Sequence, residues 1–396
     1  MSLEFDVEPS PTGKAFFGIY FSCQMLYNNV IYTNQAPALC GRREVMSTNI
    51  VDKNLITDSK LELEDVRFYD LNAAPFSVHG VEYSDGKFRR MPEAVAASVS
   101  DKVHSLHSYT AGGRLRFYTD SEYVAIRAWM PRMYKINRAA FTGTCGFDLY
   151  VGAKPIHTGT FPPPMDIQDF YESVVHLGSR QKRLITIHFP TYAEVAKLQV
   201  GLQNDAKVQA PPAYKYAKPM VFYGSSITQG ACASRPGGTY QAILSRKYGF
   251  DYVNLGFAGS ARAEDTMIEY LASLDMSAFV LDYDHNAPTV EHLQATHQKL
   301  FRAVRQTHPD IPILMMSRPR FRLKNTEPQR LEIVKQTYLD AVNAGDDKVF
   351  FLSGLDLMRY VGDSGLVDMI HPNDAGFFSM AKAMEKPIKE MLKMIK

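Results

Sequence analysis

The chain has 396 residues, 45% of them apolar and 22% charged, an ordinary globular composition that excludes wholesale disorder. Its 44 Lys plus Arg against 42 Asp plus Glu leave a net charge of +2, which gives no reason to propose a nucleic-acid or anionic-membrane partner. The length suggests two domains, and no run reaches the ~18 apolar residues needed to span a bilayer.

Residues 1–59 read as an N-terminal arm. Residues 1–45 show neither strand alternation nor a sustained helical period, and hold two of the four cysteines. Met46 then opens a polar stretch of ordinary N-terminal character. Two readings stand equal: translation starts at Met46 and residues 1–45 are not native, or they form a loosely packed arm. The apolar segment Ala15 to Leu26 is preceded by Glu4, Asp6 and Glu8 rather than by basic residues, so it does not read as a secretion signal. The four cysteines, at 23, 40, 145 and 232, form no CxxC pair and no zinc-like spacing. Reduced thiols, no metal, no cofactor and a cytoplasmic location are expected.

From 60 to 210 the pattern has period two, with β-rich runs at 115–120, 123–130, 145–152, 155–161, 183–190 and 196–202. Many short strands between Gly, Pro and Asp turns, with almost no helical signal, predict an antiparallel β-sandwich. A Pro- and Lys-rich linker over 211–218 follows. From 219 to 396 the period changes. Apolar runs at 221–224, 252–257, 279–284, 312–317 and 349–354 alternate with amphipathic segments near 240–248, 263–274, 290–308, 327–344 and from 375 onward. Five such units predict an open parallel sheet with helices on both faces, in the flavodoxin-like order 2-1-3-4-5.

In such a sheet, sites form beyond the carboxyl ends of the strands. The first strand ends in Gly224-Ser225-Ser226, the second in a loop with Gly256 and Gly259, the third at Asp282, Asp284, His285 and Asn286, and the last loop carries Asp368 and His371. Acyl transfer needs a hydroxyl, a base to activate it, a carboxylate to orient the base, and donors for an oxyanion. All of these types fall in the right loops.

GSSITQG, GFAGSA, the HN of DYDHNAP and DMIHPND together resemble the blocks of the SGNH/GDSL hydrolase superfamily. GFDLY at 146–150 resembles the GxDLY signature of the β-rich N-terminal domain of some SGNH-type esterases. The resemblance implies Ser226 as nucleophile, His371 as general base and Asp368 as its orienting carboxylate. The oxyanion donors it implies are Ser226, Gly259 and Asn286. It further implies a metal-independent serine esterase, acting on small esters such as acetyl groups on carbohydrates. The chain departs from Gly-Asp-Ser by carrying Ser225 where the aspartate stands, which makes Ser225 a minor rival. The literal Gly362-Asp363-Ser364 has no strand before it and reads as a loop.

Alternatives from other classes are an acyltransferase using the same acyl-enzyme and a non-catalytic glycan-binding protein. Homo-oligomerisation is left open. Tyr240, Arg262, Tyr283 and Arg318 are candidates to line the substrate pocket. Alone, Ser226 could be a helix cap, Asn286 and Gly259 turn residues, and Asp368 with His371 a surface pair.

Overall fold

Each apolar run after residue 219 is short and followed by an amphipathic segment, and this dictates alternating strands and helices. The computed structural model describes residues 61–71 and 74–395, so the arm with its Met46 question lies outside the described residues. Five strands form a parallel sheet: β1 (Met220–Gly224), β2 (Tyr252–Gly256), β3 (Ala278–Asp282), β4 (Ile313–Met316) and β5 (Val349–Leu352). Their order is β2-β1-β3-β4-β5, the expected one, with Val221 opposite Val253 on one side and Phe279 on the other.

Successive side chains of a strand face opposite ways. Val221, Tyr223, Phe279 and Leu281 join the helices Asp265–Ser273, Val290–Thr307 and Glu327–Asn343 in one core. Met220, Phe222, Ala278 and Val280 meet the helices Tyr240–Tyr248 and Asp374–Met394 in another. Burial on both faces explains why these strands read as unbroken apolar runs. Each fully buried side chain of the size of Leu281 contributes about 1.5–3 kcal/mol relative to exposure.

The β-rich half is a sandwich of antiparallel sheets. One has the order Val66–Asp70, Lys197–Gln203, Tyr123–Trp129, Phe170–His176; the other runs Val208–Gln209, Arg114–Thr119, Arg183–His188, Phe147–Val151, Ile156–Phe161. Leu115, Phe117, Phe147 and Ile187 from one sheet pack against Val124, Ile126, Ala128 and Val200 from the other. The runs at 115–120 and 123–130 are joined by a short turn yet lie in different sheets, so the turn crosses layers instead of closing a hairpin.

Two helices, Glu93–Val99 and Asp101–Leu106, stand where almost no helix was expected. Segments this short are marginal on their own, so their local signal is weak. Ser100 caps the second by accepting from the Val103 N–H at 3.3 Å. Met91, Ala96 and Val103 then bury into the α/β core, and this tertiary contact holds the helices.

The halves also meet at Asp148, the aspartate of GFDLY, which is fully buried and accepts the Gly237 N–H at 3.1 Å. Burial pushes its carboxyl up to about 6, against the opposing pull of Arg246, the Gly237 N–H and Arg235. Among the described residues no helix is long and apolar enough to cross a membrane.

Candidate active site

The turn after β1 is built from small residues because there is no room for larger ones. A Cβ on Gly224 would stand 2.1 Å from Thr228 Oγ1 and 2.4 Å from the Asp282 carbonyl oxygen. The chain then enters a four-residue helix, Ser226–Gln229. Ser225, not Ser226, is its cap: the buried Ser225 hydroxyl accepts from the Ile227 N–H at 3.1 Å. Ser226 is left half-buried with its hydroxyl facing His371.

Buried polar groups brace this turn. Thr228 and Tyr240 both donate to Asp282 Oδ2, at 2.8 and 3.0 Å. Burial pushes Asp282 up to about 7, although those two donors pull the other way. Asn254 and Gln241 donate to the Thr228 carbonyl at 2.7 and 2.8 Å. Gln229 accepts from the Ala258 N–H at 3.0 Å and so ties the helix to the loop after β2.

Ser226 Oγ lies 3.0 Å from His371 Nε2, and His371 Nδ1 lies 2.8 Å from Asp368 Oδ2. Asp368 Oδ1 also accepts the backbone N–H groups of His371 at 2.8 Å and Ile370 at 3.2 Å. Arg138, from the β-rich half, donates to Asp368 Oδ2 at 2.7 Å. Partial burial raises the Asp368 carboxyl. The bonds from the His371 N–H, the imidazole and Arg138 outweigh it and hold the group well below the usual carboxylate range. Asp368 is therefore ionised and accepts from Nδ1–H, which leaves Nε2 as the acceptor for the Ser226 hydroxyl.

The loops after β2 and β3 are tied to this turn. The Phe257 N–H donates to the Gly224 carbonyl at 2.8 Å. The Phe257 carbonyl accepts from Ser260 N, Ala261 N and Asn286 Nδ2, at 2.9, 3.2 and 2.7 Å. One hydrogen of the Asn286 amide is thus committed and orients the other. Gly259 has φ +70°, the left-handed region that favours glycine, and a Cβ there would meet nothing within 4 Å. Gly256 serves packing instead, since a Cβ would stand 2.2 Å from Gln229 N.

Among the proposed pocket residues, two need correction. Tyr240 and Tyr283 are core residues, 0% and 1% exposed, with hydroxyls on Asp282 and Thr296. Arg318 faces inward onto Asp284, donating to Oδ1 at 3.2 Å, beside the buried Arg330 at 2.8 Å. Arg262 is exposed, and its carbonyl accepts from His292 Nε2. His285 receives Arg320 Nη1 at 3.2 Å on Nε2, and burial with the nearby Arg318 and Arg320 holds it neutral. Ser364 is exposed in a short 3-10 turn, as a loop residue.

Sequence reasoning missed Arg138 and the buried Tyr192. The Tyr192 hydroxyl donates to the Ser226 carbonyl at 3.3 Å. Tyr192 packs with Tyr109, Ala231 and Cys232, flanked by Ile136, Ala139 and Ala258. No motif marks these positions. Among the described residues, no group of three or more His, Cys, Asp or Glu side chains is gathered as metal ligands.

Residues 217–389 match the GDSL-like lipase/acylhydrolase family, and residues 66–208 match the N-terminus of SGNH-hydrolase-type esterases. The chain belongs to the SGNH/GDSL hydrolases. A chain from Bacteroides ovatus described as a GDSL-like lipase superposes with TM-score 0.73 at 27% identity, over 84% of this hydrolase and 99% of that chain. The salicylyl-acyltransferase of a tetracycline biosynthetic pathway gives 0.68 at 21% identity, over 83% and 98%. An acetyl xylan esterase from the rumen bacterium Butyrivibrio proteoclasticus gives 0.53 at 12% identity, over 83% and 100%, a likeness of fold alone. No curated protein matches the hydrolase in sequence.

Proposed function

We propose that this hydrolase cleaves small carboxylic esters through an acyl-enzyme on Ser226. The observation that carries the reading is the continuous chain of 3.0 Å from Ser226 Oγ to His371 Nε2 and 2.8 Å from His371 Nδ1 to Asp368 Oδ2. The Ser226 oxygen attacks the ester carbonyl carbon as its proton passes to Nε2. The ionised Asp368 stabilises the imidazolium and keeps its orientation. The N–H groups of Ser226 and Gly259 and the free hydrogen of Asn286 Nδ2 receive the oxyanion. Collapse breaks the bond to the alcohol, which leaves with the proton from Nε2. Water, deprotonated by His371, then attacks the acyl carbon and releases the acid with Ser226 restored.

The fold shared with an acetyl xylan esterase agrees with an acetyl ester on a carbohydrate. The likeness to an acyltransferase keeps a second acceptor in view: products formed with added sugars or polyols would replace the free acid.

The test is peptide mass spectrometry after treatment with a fluorophosphonate. One adduct on Ser226, lost in His371→Ala, is expected, and Ser226→Ala should lower kcat by roughly 10^4-fold or more. An adduct on Ser225 or Ser364, or full activity in Ser226→Ala, would overturn the assignment.

A further inference from the structure

A cavity of about 250 Å³ lies between the β-rich half, the segment that leaves it, and the helix Tyr240–Tyr248. Its wall carries Arg114, Arg116, His188, Lys215 and Arg246, and no carboxylate. It borders Gly249, just before β2 begins, so it sits at the end of the sheet away from Ser226.

Arg114 and Arg116 are two residues apart on one strand and share a face. Arg114 is complete: it donates to the Gly112 carbonyl, to Asp251, to the Tyr252 carbonyl at 2.8 Å and to the Tyr214 hydroxyl at 3.3 Å. Arg116 is not. It is 7% exposed, its guanidinium lies 4.2 Å from the Tyr214 ring centroid, and its Nη1 is buried with no hydrogen-bond partner. Two more polar atoms on the same wall share this state. They are Nη1 of Arg246, whose guanidinium lies 4.0 Å from the Tyr150 centroid, and Nε2 of His188, which is 2% exposed.

A buried donor without a partner is costly, more so when charged, so native structures rarely leave three on one cavity. The carboxylates nearby are engaged elsewhere. Asp251 is paired with Arg114 and His79. Asp148 accepts the Gly237 N–H and faces Arg235; it also feels the charge of Arg246, without a hydrogen bond to it. Burial, with Arg246 and Arg114 close by, keeps His188 neutral, so it can donate a hydrogen bond from Nε2 without adding charge.

We propose that this cavity binds a phosphate group, free or as a small phosphate ester, held by Arg116, Arg246 and His188 with Lys215 at the mouth. Arg116 and His188 rise from neighbouring strands on one sheet face, and Arg246 comes from the helix across the cavity. That arrangement suits a tetrahedral oxyanion; a planar carboxylate is satisfied by one guanidinium fork. Because the walls belong to both halves, the anion braces their junction. The site is independent of the ester chemistry.

The test is titration of the full chain with inorganic phosphate, with glycerol phosphate and with acetate, at constant ionic strength set by chloride. Saturable binding of phosphate is expected, with a Tm that rises with phosphate and not with chloride. Tighter binding of glycerol phosphate than of phosphate would assign the ester, and the reverse would assign the free ion. Arg116→Gln should weaken binding roughly tenfold to hundredfold, and Ser226→Ala should leave it unchanged. If Arg116→Gln does not fold, the exposed Lys215→Gln should still weaken binding measurably. No saturation in the unaltered protein, acetate bound as tightly as phosphate, or binding unchanged in both Arg116→Gln and Lys215→Gln would overturn the proposal.

Discussion

The α/β half carries Ser226, Asn286, Asp368 and His371 in loops at one edge of its sheet, each a few residues from a strand or helix that fixes it. The β-rich half supplies none of these, yet it touches both ends of the hydrogen-bonded chain. Arg138 holds Asp368 and Tyr192 holds the Ser226 carbonyl. The difference is one of sequence distance. The first half places its chemistry by local geometry, whereas the second acts over long separations through packing. Substitutions in the two halves should therefore fail in different ways.

The largest effect belongs to the α/β half. Asp368→Asn keeps the shape but lets His371 take the wrong tautomer, and kcat should fall roughly 10^4-fold with little change in KM. A loss below tenfold would mean that His371 is oriented by its backbone alone. Next comes Asn286→Ala, which removes the proposed side-chain donor to the oxyanion and should lower kcat about 10^2- to 10^3-fold. Steady-state kinetics on a short acyl ester reads both. Equal losses in kcat and kcat/KM are expected for Asn286→Ala, since the bond forms only in the transition state.

The β-rich half should fail through stability first. Asp148→Ala leaves the buried Gly237 N–H without its acceptor, at a cost of about 1–3 kcal/mol in chemical denaturation. The folded carboxyl sits at about 6, above the unfolded value of roughly 3.9, so the folded protein holds this proton more tightly. Its contribution to stability is full below about 4 and is lost as pH rises through about 6. Asp148→Asn should flatten that slope, and an unchanged slope would assign it to another group.

Much of the α/β half was legible because its signals are short-range. Five apolar runs with amphipathic segments between them restrict the sheet to few orders, and the observed order is the expected one. Asp368 and His371 are three residues apart, so a single turn decides their contact. Tyr240 and Tyr283 were not legible, because a tyrosine at a strand end or helix start reads the same whether its hydroxyl meets water or, as here, Asp282 and Thr296. The helices at 93–106 were hidden because packing from the other half stabilises them. Arg138 could not be found at all: it sits 230 residues before Asp368, in a polar loop without a motif.

Arg138 gives the smallest and most discriminating effect. Its side chain is 52% exposed, so solvent screens the pair and Arg138→Ala should lower kcat/KM only about two- to fivefold. The loss does not come from protonating Asp368. That carboxyl is held below the usual range, so it stays charged above the ordinary carboxylate pKa of about 3.9 and is neutralised only as pH falls well below that. What changes is the hold on the imidazole. With Arg138 gone, Asp368 Oδ2 loses a donor, and the carboxylate that orients the His371 ring is itself less fixed. The loss should therefore fall on kcat more than on KM, and it should shrink at high salt, where the pair is already screened. Arg138→Lys should restore activity in part, since it keeps the charge. Activity of Arg138→Ala equal to that of the unaltered protein at low salt would leave Arg138 as a surface contact and confine the site to the α/β half.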